Sequence, residues 1–543
     1  MLNAIDEVYF SLYIGSISFD IKGEAILTIL SCLIQGFLSL FSFIRFTQMS
    51  TANPLSFIVF VVLVYLYYQF TKKQVACRIS PADKACSLTI SILFSALALF
   101  SQKDMLLLNS TNLIEQIAIM VLSGIGLALI LFYFLLWVFM TSAEATITQN
   151  IYPNPILPVL TFVGCILVWG FYFLHFYPGI LPAATIEEFT QIQGGSPFSD
   201  QPSLIHAVLL DKILKLLAPF ALSDMHAIGI LTGLQILFLA WIAAYVIRTL
   251  QLAHIHTAFC VGCMLFYLIP YHAVMACTLS MDVLLAANLT GYLAVLMRLF
   301  LKSDRKQYSK LKWTVTILSY FVFGFMTCAL SRVGLITFLL SLPFVLLMLR
   351  EKWKITVPVS AVILGLVLFI RFPFFHLYAI EKPTWFSALH PALQAVLQHD
   401  SELSTGALLY EYLKQCSNIV FPGQDSLPFF TGIAPNEFLQ EAQGILHYPA
   451  ALMDTLLTMQ TCIPIYGLFF SCGTLFWVLI SSMFLCVRNA KPDNIALGLP
   501  IFILFLAGCV LSDGTILFHN LYSIFLALPL FVFLSFIDAE SEY

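Results

Sequence analysis

Long apolar runs, separated by short polar connections, recur from one end of the chain to the other. Each run approaches the ~20 residues that an α-helix needs to cross a bilayer. Because lipid offers no hydrogen bonds to exposed backbone groups, such segments cross the membrane as helices. The pattern predicts an all-α, polytopic integral membrane bundle of about fourteen transmembrane helices, near residues 25–46, 55–70, 86–101, 116–140, 156–177, 226–248, 256–273, 276–297, 313–330, 333–349, 355–372, 462–487, 494–512 and 516–537.

Two longer segments interrupt this pattern and are predicted to lie outside the membrane. The first, 178–225, collects Glu, Asp, His, Gln and Pro, and is predicted to carry a short helix at 205–219. The second, 373–461, alternates polar helix-like pieces, including a surface helix at 390–399, with turn signals. A connection of that length is usually functional or disordered, and its aromatic residues favour order.

The domain organisation follows from these two segments. Residues 1–22 are predicted to form a cytoplasmic or interfacial amphipathic segment, because three acids precede the first cation and the pattern is not that of a secretory signal. The next part, 23–372, is predicted to be a transmembrane core of eleven spans that includes the loop 178–225. The large external loop 373–461 and the C-terminal spans within 462–543 complete the chain.

Composition and charge support this class and give an orientation. The chain is 60% hydrophobic and 10% charged, against about 45–50% and about 25% in soluble domains. With the N-terminus inside, most of the 25 Lys and Arg residues fall on the cytoplasmic side. Both termini are therefore predicted to be cytoplasmic and both long loops external. The connection 141–155 is predicted to be cytoplasmic but carries no cation. If one early span were miscounted, the first four spans would have the opposite orientation relative to the rest.

Several chemistries find no support in the sequence. Basic clusters lie at span ends, where topology accounts for them, so no nucleic-acid partner is expected. The chain has no Walker loop, which argues against nucleotide-driven transport. Most of the 13 cysteines lie in apolar segments and only Cys416 falls clearly in an external loop, so no disulfide framework is predicted. The CVGC at 260–263 is interpreted as core packing, and no zinc site is expected.

The first external loop holds the candidate catalytic residues Glu187, Glu188 and Asp200. A carboxylate beside a membrane surface is suited to act as a general base toward a hydroxyl group. His206, at the start of the predicted loop helix, is suited to contact a phosphate leaving group, and Gln201 is a further binding candidate. The alternative for each acid is an ordinary solvated surface charge.

Three further residues are candidates for substrate binding. Asp282 lies in a predicted span, where an ionisable group costs about 2.5–3.5 kcal/mol and therefore faces a cavity or a partner. His272, about ten residues upstream, is a candidate for the same cavity. Arg332 lies between two spans, and its guanidinium is a natural clamp for phosphate. Helix-to-helix hydrogen bonding for Asp282 and interfacial anchoring for Arg332 are the structural alternatives.

Short motifs in this region resemble the GT-C membrane glycosyltransferases. The loop 178–225 follows a span that ends in YPG, at Tyr177 to Gly179, and continues through SDQPSLIH to His206. The chain is most similar to an uncharacterised Gram-positive bacterial family of many-pass GT-C-like proteins. That family carries YPG followed by an aspartate, an HPxxHT motif, an internal KD pair and an RxxG connection. The latter two align with Met281-Asp282 and with Arg332 to Gly334, which read MD and RVG in this chain. LHPALQAVLQ at 389–398 is similar to the family's external helix.

The sequence departs from the family pattern at two positions. Ala183-Ala184 stands where the family has its loop aspartate, and Gln201 stands where it has the first histidine of its pair. In GT-C enzymes an acid in this loop is the expected base. Glu187 and Glu188 lie about one helical turn further on and are the candidates to replace it.

The resemblance implies a glycosyltransferase that moves a sugar from a polyprenyl-phosphate carrier to a saccharide or lipid acceptor of the cell envelope, at the outer face of the cell membrane. Its partners would be the lipid-linked sugar, membrane lipid and the acceptor. A divalent cation, Mg²⁺ or Mn²⁺, is a candidate cofactor, with Asp282 as a candidate contact. Two alternatives remain open: a non-catalytic transporter or flippase for lipid-linked saccharides, and a catalytically silent relative that scaffolds an envelope-polymer complex.

Overall fold

The computed structural model describes most of the helical part of the chain. The residues it describes are 9–14, 17–50, 53–76, 80–108, 110, 112–144, 154–194, 204–217, 219, 224–301, 310–374, 389, 393–394, 405–420, 472–511 and 521–537. They divide into two compact units, Met1–Ala145 and Thr146–Tyr543. Apart from residues 393–394, the predicted surface helix at 390–399 lies outside the described residues, as does most of the loop 373–461.

The first unit contains a short antiparallel hairpin, β1 (Tyr9–Ile14) and β2 (Ile17–Lys22), within the segment for which the sequence predicts an amphipathic element. It is followed by α1 (Gly23–Thr47), α2 (Pro54–Ala76), α3 (Pro81–Ser101), α4 (Lys103–Leu106) and α5 (Leu113–Glu144). Helix α5 packs against α1 and α3. The Ser39 and Tyr67 hydroxyls form a buried hydrogen bond of 2.5 Å that joins α1 to α2.

The second unit is a larger helical bundle. Its helices are α6 (Ile156–His175), α7 (Ala183–Ile192), α8 (Leu204–Leu217), α9 (Asp224–Leu252), α10 (Thr257–Tyr267), α11 (Pro270–Cys277), α12 (Met281–Phe300), α13 (Lys310–Leu330), α14 (Arg332–Met348), α15 (Trp353–Phe369), α16 (Thr405–Val420), α17 (Cys472–Arg488), α18 (Ile495–Val510) and α19 (Tyr522–Val532). The helix predicted at 205–219 is confirmed as α8.

The membrane-embedded class is supported by the length and composition of these helices. Among the described residues, ten helices are long and apolar enough to cross a bilayer, and the bent pair α10 and α11 makes up to eleven if it is one span. Three shorter apolar helices, Arg332–Met348, Cys472–Arg488 and Tyr522–Phe536, lie where the sequence predicts further spans. The polytopic helical bundle is confirmed, whereas the exact number of fourteen spans stays a prediction.

Helix α12 is the central helix of the second unit. Of its most apolar window, 89% is buried inside the protein, and it packs against α9, α13 and α19. The Ser280 hydroxyl caps its N-terminus by accepting a hydrogen bond from the Asp282 amide at 3.2 Å. At its other end, the Lys352 ammonium donates to the carbonyl of Leu299. Both ends of the central helix are therefore satisfied by neighbouring polar groups.

The chain leaves α6 through a tight turn that anchors the following loop. Tyr177 and Pro178 are joined by a cis peptide bond, and Gly179 has a φ of 141°, a conformation that only glycine adopts readily. A Cβ atom on Gly179 would overlap the Thr232 hydroxyl of α9. The absence of a side chain thus lets the loop backbone lie directly against α9.

Backbone pairing then fixes the loop to the connection between α11 and α12. The Ile180 amide donates to the Cys277 carbonyl, and the Leu279 amide donates to the Ile180 carbonyl, both at 2.9 Å. The Thr185 hydroxyl adds a bond of 2.8 Å to the Leu279 carbonyl. These bonds place α7 beside the N-terminus of α12.

Gly334 controls how closely α14 approaches its neighbours. A Cβ atom there would overlap the backbone oxygen of Thr327 in α13 and lie 3.1 Å from Leu285 of α12. We expect Gly334→Ala to lower the free energy of unfolding by about 1–3 kcal/mol, because the helices must separate. Thermal unfolding of the purified protein in detergent measures this change.

Gly365 supplies the matched control, because a Cβ atom there meets nothing within 4 Å. Gly365→Ala is expected to be neutral or to stabilise the helix by up to about 1 kcal/mol, since alanine is the better helix former. An equal effect of the two substitutions would contradict the close approach at Gly334.

Candidate functional site

Helix α7 is amphipathic, and its buried face selects one of the two adjacent glutamates. Thr185, Glu188 and Phe189 are buried, at the i, i+3 and i+4 spacing of one helix face, whereas Glu187 is exposed. Phe189 joins a hydrophobic cluster in which α7, α8, α9 and the connection to α12 meet: Leu181, Phe189, Leu210, Ile228, Leu231 and Leu279. Packing of this cluster orients the face of α7 that carries Glu188.

Glu188 forms a buried hydrogen-bonded pair with His206 of α8. His206 Nδ1 and Glu188 Oε2 are 2.6 Å apart, and the two side chains are 2% and 1% exposed. A buried carboxylate is costly unless its charge is compensated, and the imidazole supplies that compensation. The hydrogen bond fixes the orientation of both side chains.

Asp282 lies beside this pair, in the first turn of α12. It interacts electrostatically with both His206 and Glu188 and is partly buried. A carboxylate near a helix N-terminus is favoured by the helix dipole and by unpaired backbone amides. Two carboxyl groups and one imidazole, from α7, α8 and α12, therefore converge at one end of the bundle. Such a cluster of interacting titratable groups is typical of functional sites.

Arg332 lies at the same end of the bundle. It is the first residue of α14, directly after the Ser331 cap, and is partly exposed. Gly334, half a turn later, lies against Leu285 of α12, which is one turn from Asp282. The structure thus brings Glu188, His206 and Asp282 together and places Arg332 nearby on an adjacent helix. Asp200 and Gln201 lie outside the described residues.

His272 belongs to a different cluster. Its Nδ1 lies 2.8 Å from the Tyr522 hydroxyl of α19, and its ring stacks on Phe525 with centroids 4.9 Å apart. Phe266, Tyr267 and Tyr271 also surround the ring. The sequence suggests a cavity shared with Asp282, but the structure seats His272 in an aromatic core at the bend between α10 and α11.

The described residues do not fit a metal ion. They contain no group of three or more His, Cys, Asp or Glu side chains arranged to hold one. Glu188 Oε2 is hydrogen-bonded to His206 Nδ1 and is not presented as a free ligand.

Some residues that hold the site in place are not identified as site residues from the sequence. Gln235 of α9 donates from Nε2 to the carbonyls of Ala276 and Thr278, at 3.1 and 2.7 Å, and so holds the connection that leads to Asp282. A glutamine inside a long apolar segment is the signal that identifies such a position, because its amide needs a partner there. Thr185, which bonds to Leu279, gives no comparable signal in the sequence.

Comparison with known proteins gives no relative: no family model, no curated protein and no solved structure matches the chain.

The burial of Glu188 predicts a stability difference between adjacent glutamates. Glu188→Ala is expected to lower the free energy of unfolding by about 3–5 kcal/mol, because it leaves a buried imidazole without its partner. Glu187→Ala, at an exposed position on the same helix, is expected to change it by about 0.5 kcal/mol or less. Unfolding of both variants in detergent would be compared with the parent protein.

His206→Ala and the double variant complete a thermodynamic cycle. The coupling free energy between Glu188 and His206 is expected to be about 0.5–3 kcal/mol, as for side chains in direct contact. Additive effects of the two substitutions would show that the pair does not act as a unit.

Proposed function

We propose that this protein is a GT-C-like membrane glycosyltransferase in which Glu188 is the general base. The observation that supports this proposal is the buried Glu188 and His206 pair beside Asp282, at a bundle end that also carries Arg332. General bases in enzymes are held in place by a hydrogen-bonded neighbour that fixes their orientation. Of the two glutamates that follow Ala183-Ala184, only Glu188 has this arrangement.

The transfer would proceed by displacement at the anomeric carbon of the sugar. As an acceptor hydroxyl attacks, Glu188 takes its proton, a new glycosidic bond forms, and the bond from the sugar to the phosphate oxygen breaks. The polyprenyl phosphate departs with the electrons of that bond. Arg332 would stabilise the negative charge that develops on the phosphate, because a guanidinium binds two phosphate oxygens at once.

His206 would act through Glu188. Its imidazole orients the carboxylate and balances charge in a site that excludes most water, where electrostatic interactions are stronger than in solution. Asp282 would line the same site and help bind the sugar hydroxyls. The asymmetry of Lys and Arg along the chain supports an orientation with this end of the bundle at the outer face of the cell membrane and both termini in the cytoplasm.

The test compares Glu188→Gln with Glu187→Gln. Purified protein is incubated with a panel of undecaprenyl-phosphate-linked sugars and cell-envelope saccharide or lipid acceptors, and release of undecaprenyl phosphate is measured. Removing the base is expected to reduce the rate by about 10²–10⁴-fold, whereas the exposed Glu187 variant should retain the parent rate. Undiminished release by Glu188→Gln would remove the base assignment. Tight binding of the lipid without turnover by the parent protein would favour the scaffold alternative.

A second candidate function is transport of a lipid-linked saccharide. The bend of 51° between α10 and α11 favours it, because discontinuous helices form substrate sites in many transporters. His272 lies at this bend, and its Nε2 has no hydrogen-bond partner among the described residues. Movement of a fluorescent polyprenyl-phosphate sugar across proteoliposome membranes, without release of the sugar, would support transport over transfer.

A further inference from the structure

Two cysteines that are far apart in the sequence meet in the second unit. Cys416 lies on α16, and Cys509 lies in the last turn of α18. Their thiol groups are close enough to interact with each other. The Tyr412 hydroxyl, one turn before Cys416, also donates to the Cys509 carbonyl at 3.2 Å and holds the two helices together.

The two thiols differ in access. Cys509 is buried, whereas Cys416 is only partly buried. A small thiol-containing or disulfide-containing molecule therefore reaches Cys416 first. Cys509 lies close behind Cys416, where it can attack a mixed disulfide formed on Cys416.

The surroundings of Cys416 also favour its reactive form. The interaction with the Cys509 thiol is the main cause that lowers the pKa of the Cys416 thiol below its usual range, and the Tyr412 hydroxyl adds to it. Because the thiolate is the attacking species, a lowered pKa favours thiol–disulfide exchange. The neighbouring groups thus distinguish Cys416 from an unreactive cysteine that only fills space in the core.

We propose that Cys416 and Cys509 form a reversible redox pair, in which Cys416 attacks an external disulfide and Cys509 closes an intramolecular bridge between α16 and α18. The Cys416 thiolate first displaces one thiol from the external disulfide and becomes a mixed disulfide. Cys509 then loses its proton, attacks the Cys416 sulfur and releases the second thiol. The two protein cysteines are oxidised, the external disulfide is reduced to two thiols, and no other oxidant is required.

The bridge would tether α16 to the core of the second unit. Apart from the sulfur contact, α16 packs mainly against α17, whose first residue, Cys472, interacts with Cys509. A covalent bond to α18 would fix one end of the long segment that leads from α15 to α17. The pair therefore offers a redox control over the attachment of α16 to the second unit, and this control does not depend on the reaction performed at the candidate site.

The experiment treats the full-length protein in detergent with oxidised glutathione and measures its intact mass. The parent protein is expected to lose two hydrogens and to retain no glutathione at this pair. Cys509→Ser, which cannot close the bridge, is expected to retain one glutathione on Cys416. Cys416→Ser should neither retain glutathione nor lose the two hydrogens.

Cys263→Ser serves as the matched control, since Cys263 is also partly buried but lies on α10. It should react as the parent protein does. Chemical cleavage at Met453, Met459 and Met483, between the two cysteines, should yield a fragment with Cys416 and a fragment with Cys509 that stay joined until they are reduced. Size-exclusion elution of each variant establishes that it is folded.

Retention of glutathione by the parent protein on Cys416, without bridge formation, would overturn the proposal. So would the absence of any adduct in Cys509→Ser, or fragments that separate without reduction. None of these measurements involves a sugar donor, so failure here is distinguishable from failure of the glycosyltransferase proposal.

Discussion

Two backbone hydrogen bonds, on either side of Ile180, determine the geometry of the candidate site. They join the loop after α6 to the short connection between α11 and α12, although these segments are about a hundred residues apart. Once Ile180 is paired, α7 must begin beside the N-terminus of α12, and its buried face must carry Glu188 toward Asp282. Gln235 and Thr185 reinforce the same connection from two other directions. The acidic cluster is thus a product of backbone pairing more than of attraction between its members, which would repel each other without His206.

The positions of helices could be predicted from the sequence because hydrophobicity decides which segments enter a membrane. Each predicted span corresponds to a described helix or bent helix pair, and α8 appears where the loop sequence predicts it. The choice between Glu187 and Glu188 could not be predicted. Adjacent residues on a helix differ by about 100° in direction, and the decision depends on the hydrophobic cluster around Phe189, which is assembled from four separate parts of the chain.

Pairwise contacts between distant residues were the least predictable features. Asp282 was identifiable as a costly acid in an apolar segment, but its partners come from α7 and α8. His272 has the same kind of sequence signal, yet it packs among aromatic rings near Tyr522. The sequence places only Cys416 in an external loop and gives no disulfide framework, whereas the fold brings Cys509, from the end of an apolar helix, to its side. Hydropathy describes how readily each segment enters lipid. It contains no information about which segments become neighbours in the folded protein.

The burial of α12 has a consequence for how the sequence of this protein is free to change. Most of the apolar window of α2 is open to its surroundings, with 11% buried, so lipid contact requires only that its side chains remain apolar. Helix α12 is enclosed by other helices, so its side chains must keep their volume and shape, while buried polar residues such as Asn288 and Thr290 are accommodated. Drift in α2 should therefore exchange one apolar residue for another freely. In α12, a change in size at one position requires an opposite change in a neighbouring helix.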